Sequence, residues 1–114
     1  MTTAPQLELF PLVEPTYEQD ASLVDRFAAF HDANPHVADA LEHLAAQWLT
    51  HRDHVGMKAL FERLRWESGI RTEGDPYVLN NNYTAYYARL LIDRRPEWAS
   101  AFRLRELKSE RRAA

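Results

Sequence analysis

Cysteine is absent from the 114 residues. Disulfide cross-links, thiolate metal sites and cysteine nucleophiles are therefore excluded together, which suits a reducing cytoplasm. Glycine is scarce: Gly56, Gly69 and Gly74 are the only three, and they are scattered. Neither a glycine-rich phosphate loop nor a G-x-S-x-G nucleophile elbow can be written on such a chain. No apolar run approaches the roughly 20 residues that span a bilayer, and no charged-then-apolar segment opens the chain. A cytoplasmic protein with no membrane partner is the expectation. What remains is ordinary for a globular domain, with 46% hydrophobic and 27% charged residues. That balance supports one hydrophobic core and argues against wholesale disorder.

Chemistry is thin. Of the five histidines, His51 and His54 flank Asp53 in an H-x-x-H pattern, and His43 lies about two helical turns earlier. A zinc site requires a third ligand and an ordered outer shell, and a break in helical pattern falls at 51–54. No metal and no cofactor is expected. Glu62 and Glu67 lack a spacing that sets both carboxylates on one cleft, so a non-enzymatic protein is expected.

The formal charge of −3 conceals a division. Residues 1–50 hold eight acids and one base, a balance of −7; residues 51–114 hold nine acids and thirteen bases, a balance of +4. The basic excess gathers after residue 88, in Arg89, Arg94, Arg95, Arg103, Arg105, Lys108, Arg111 and Arg112. Two arrangements fit: a basic surface for nucleic acid, or an acidic part that packs against the basic one.

The apolar spacing predicts an all-α fold, a compact bundle of four to five helices (20–114) behind an extended, mobile N-terminal tail (1–19). Pro5, Pro11 and Pro15 fix φ, remove amide donors and push their predecessors out of the α region, which sets the tail. A first helix starts after Asp20 or Ser22, with Leu23, Val24, Phe27 and Phe30 on one face, and ends near Asn34-Pro35. Asn34 caps a second helix with Pro35 at its first position, and Val37, Leu41, Leu44, Ala45 and Trp48 form its buried stripe. A break near Asp53 precedes a third helix, with Val55, Leu60, Phe61 and Leu64 inward and Trp66 near its end. Residues 69–81 read as a loop containing a short extended piece at 77–79. A fourth helix, capped by one of Asn80–Asn82 or by Thr84, carries Tyr86, Tyr87, Leu90 and Leu91. A fifth spans about 97–110 with Trp98, Phe102 and Leu107 inward.

Within the tail, Gln6-Leu7-Glu8-Leu9-Phe10 resembles the peptide by which bacterial proteins hold the replicative sliding clamp. That family pattern is glutamine, leucine, serine or aspartate, leucine, phenylalanine. The resemblance implies paired hydrogen bonds from Gln6, with Leu9 and Phe10 in an apolar cleft and Leu7 making a smaller contact. Glu8 departs from the pattern at a position that faces solvent. Three uses of these letters stand side by side: a clamp-docking peptide, an apolar staple in which Leu7, Leu9 and Phe10 fold back onto the helices, or a docking peptide for some other partner.

Residues Arg65-Trp66, the run Tyr77-Val78-Leu79-Asn80-Asn81-Asn82-Tyr83-Thr84, Tyr87-Ala88-Arg89 and Pro96 carry a second resemblance. Over about half the chain it looks like small helical proteins of bacteriophages and prophages. That implies a compact helical fold and no particular chemistry. The same stretch offers Arg65, Asn81, Asn82, Tyr83 and Arg89, with Arg103 and Arg105 beyond, as candidate contacts to nucleic acid. The competing reading has the asparagines holding turns and the tyrosines filling core. The loop before Asn80 is too long for a simple helix-turn-helix. The expected activity is therefore docking on the sliding clamp to modulate replication or repair, with nucleic-acid binding through the basic C-terminal helices as the alternative.

Overall fold

Ser22 begins the ordered helices. Its backbone is extended and its Oγ accepts from the Asp25 N–H at 3.2 Å, so one orphan donor of the first turn is satisfied. The computed structural model describes residues 12–13, 15–68 and 80–102. Helix α1 (Leu23–Ala33) stops where Asn34, forced out of the α region by Pro35, sits at φ −134°. Pro35 then opens α2 (Pro35–Trp48), where its missing amide costs nothing. Helix α3 (Met57–Ser68) and helix α4 (Thr84–Arg94) follow, with 3₁₀ turns at Asn81–Tyr83 and Pro96–Ser100. The described residues are all-α. Their only extended pairing is a bridge of parallel type between Val55 and Phe102, in which the Val55 N–H donates to the Ala101 carbonyl at 3.0 Å.

Helix α2 lies at the centre of the packing, against α1, α3 and α4. It buries Val37, Ala38, Ala40, Leu41, Leu44 and Ala45. Opposite them stand Leu60, Phe61 and Leu64 of α3 and Tyr87, Ala88 and Leu91 of α4. Tyr87 is fully buried, with Phe27 at 4.8 Å and Phe61 at 5.9 Å between ring centroids, both edge to face. Such pairs add to the burial of apolar area. No helix of the described residues is long and apolar enough to cross a membrane.

Four expectations are corrected. Trp48 is not core but 40% exposed, and its indole N–H donates to the His54 carbonyl at 3.0 Å, closing the turn after α2. Leu23 and Val24 are exposed, because α1 turns Phe30 and part of Phe27 inward and nothing described covers its first turn. Tyr86 and Leu90 are half-buried, whereas Tyr87 and Leu91 take the inner face of α4. Over 97–102 there is no α-helix: a 3₁₀ turn buries Trp98 and leads to Phe102, which pairs with Val55. Leu107 and the rest of the expected fifth helix lie outside the described residues, as does the loop over 69–79.

Candidate functional site

Asn34 was expected to cap α2, yet its side chain makes no cap bond there. It reaches 21 residues back along the chain instead. Its Oδ1 accepts from the Val13 N–H at 2.7 Å, and its Nδ2 donates to the Val13 carbonyl at 2.7 Å and to the Phe30 carbonyl at 3.1 Å. A primary amide can satisfy a peptide unit at both ends in this way, as a neighbouring strand would. Beside it Leu12 is buried in the core. The N-terminal segment is thus held at Leu12 and Val13, and Asn34, fully buried, is its fastening.

From Val13 the chain returns to the start of α1. Arg26 lies over the Tyr17 ring at 5.3 Å, and the Ala21 N–H closes a turn on the Glu18 carbonyl at 3.0 Å. The sequence held a weak signal for this fastening: an apolar pair, Leu12-Val13, set between Pro11 and Pro15. Gln6, Leu7, Leu9 and Phe10 lie outside the described residues.

The candidate nucleic-acid residues divide. Arg65 and Asn81 are brought together, with Nη2 of Arg65 donating to Oδ1 of Asn81 at 2.5 Å. The other arm of Arg65 donates to Glu62 at 2.7 Å, and the guanidinium lies over the Phe61 ring at 5.7 Å. Arg65 and Tyr83 are both buried. Arg65 thereby joins α3 to the start of α4, and Tyr83 packs against Phe27 and Phe30 of α1. Asn80 accepts from the Asn82 N–H at 2.8 Å, an Asx turn that sets the 3₁₀ start, while the side chains of Asn81 and Asn82 remain at the surface. Arg89 is half-buried on α4. Arg103 and Arg105 lie outside the described residues.

The charge division has a local counterpart. Arg94 pairs with Asp39 at 2.9 Å and Glu42 at 3.1 Å, and Arg95 pairs with Glu42 at 2.9 Å. Two of the late bases are thereby neutralised by acids of α2. The hydrogen bond from Arg95, aided by Arg94, holds the Glu42 carboxyl below its usual range even though partial burial opposes this. A depressed carboxyl contributes stability above its unfolded value of about 4.3, and that contribution fades as pH falls through the folded value. Glu42→Gln should therefore lower the urea midpoint at pH 6 by about 1 kcal/mol or less in stability, with the difference vanishing in strong acid. Equal midpoints for the two proteins at pH 6 would contradict it.

A shallow groove of about 430 Å³ lies between Leu44, Gln47, Trp48, Thr50, His51, Leu60 and Arg63. The one hydroxyl in its lining, that of Thr50, donates to the Gln47 carbonyl at 2.6 Å. Among the described residues no group of three histidine, aspartate or glutamate side chains is placed to hold a metal ion. No family model matches the chain, and neither a curated protein nor a solved structure matches it significantly. What the protein does has to be read from its own residues.

Proposed function

We propose that this chain is a non-enzymatic, phage-type interaction protein that docks on the bacterial sliding clamp through Gln6-Leu7-Glu8-Leu9-Phe10 and thereby modulates replication or repair. The observation that carries the reading is the run at residues 6–10, which keeps the glutamine, both leucines and the phenylalanine of the clamp-binding pattern. A folding-back staple is the competing use of Leu7, Leu9 and Phe10, and Leu12, two residues later, already fills an apolar position in the core while Asn34 holds Val13. Gln6 would supply the paired hydrogen bonds, and Leu9 and Phe10 the anchors.

The test is direct binding. A peptide of residues 1–15 should bind a purified bacterial sliding clamp with micromolar affinity, roughly −8 kcal/mol, since ordering an extended segment offsets much of what two apolar anchors contribute. Phe10→Ala should weaken it at least tenfold, and Glu8→Ala should leave it nearly unchanged. A peptide that shows no binding at high micromolar concentration ends this reading.

A further inference from the structure

Six large hydrophobic side chains stand exposed among the described residues, and four of them fall between residues 13 and 24: Val13, Tyr17, Leu23 and Val24. This concentration has a topological cause. The chain leaves Asn34 at the end of α1 and comes back to Ser22 at its beginning, so residues 15–20 return along the same helix whose first turn shows Leu23 and Val24. The guanidinium of Arg26 on Tyr17 ties the returning segment to that helix. Glu18, Asp20 and Asp25, exposed acids, alternate with these apolar residues along the chain. Apolar residues within a polar margin are the composition of a protein-binding surface.

Chain length says what meets this strip. Leu12 is two residue steps from Phe10, and an extended chain spans at most about 3.6 Å per step, so their Cα atoms lie no more than about 7 Å apart. Leu12 is buried in the domain. Whatever holds Phe10 in a cleft is therefore within a side chain's reach of the domain surface, and the domain is not on a long leash. We infer that the strip of Val13, Tyr17, Leu23 and Val24 is a second contact surface for the partner that takes residues 6–10, so that the domain seats on the clamp as a fixed body. This rests on the proposed clamp docking.

Titration calorimetry on one clamp preparation separates the two ideas, using the 1–15 peptide, the full chain, and the full chain carrying Leu23→Ser with Val24→Ser. Tyr17→Ser, outside the helix, serves as an independent variant. Thermal melts of each chain confirm folding, which the exposure of these side chains should preserve. The expected result is a full chain at least tenfold tighter than the peptide, with both variants falling back toward the peptide's value. Equal affinity of peptide and full chain, or a full chain weaker than the peptide, overturns the second surface and leaves clamp docking standing. Full-strength binding by both variants does the same. Absence of binding by peptide and full chain alike overturns both.

Discussion

Tyr87→Ala should destabilise the domain by about 3–5 kcal/mol, the range for removing a large aromatic ring from a packed core. The ring has no solvent exposure, and Phe27 and Phe61 present their rings to it edge to face. Since α1, α3 and α4 all contribute to that cluster, none can close the space alone without moving against α2. The hydroxyl is a separate matter. Burial pushes the phenol above its ordinary range, and among the described residues its oxygen has no hydrogen-bond partner. A buried hydroxyl without a partner contributes desolvation cost and no bond, so Tyr87→Phe should be neutral within about 1 kcal/mol or stabilising. Urea denaturation of the three proteins checks both statements. A Tyr87→Phe loss as large as that of the alanine variant would mean that the hydroxyl, not the ring, holds the site.

Asn34→Ala should cost about 1–3 kcal/mol, because it removes three hydrogen bonds and leaves the peptide unit of Val13 without its partner. The loss should also be local. Amide exchange at Val13 should accelerate by more than exchange in α2, since only the fastening of the N-terminal segment depends on this side chain. Asn34→Asp is the sharper probe: a carboxylate still accepts from the Val13 N–H but cannot donate to the Val13 or Phe30 carbonyl, and it is charged in a fully buried position. It should be at least as damaging as alanine at neutral pH and should recover part of its loss in acid. Uniform acceleration of exchange across the helices would show that Asn34 supports the whole core instead.

The helices were legible because helical packing is a periodic, local constraint. Leu41, Leu44, Leu60, Leu64 and Leu91 recur at the spacing of one helical face, and all are buried. Pro35 and Ser22 mark helix starts by backbone chemistry that any neighbour would leave intact. The arrangement of charge was half legible: the acidic first half and the basic second half were plain, but only the packing of α4 on α2 brings Arg94 and Arg95 to Asp39 and Glu42. A motif at residues 6–10 is likewise a property of letters in order, readable before any fold is known.

Other features depended on distance in space. Periodicity puts Trp48 on the inner stripe of α2, but at the helix end the indole turns to a carbonyl six residues ahead and stays partly in water. The same periodicity puts Leu23 and Val24 inward, yet both are exposed among the described residues. Arg65 reads as a cation for a polyanion until the fold buries it between Glu62 and Asn81. Asn34 is the N-cap residue of α2 as its sequence position suggests, but its side chain goes to Val13, 21 residues earlier. By itself the sequence determined the all-α class and the four helical segments from Leu23 to Arg94, with the starts that Ser22 and Pro35 mark. Tertiary structure alone decided which polar side chains are committed to holding the fold and where the N-terminal segment joins it, because those depend on residues that meet only after the helices have packed.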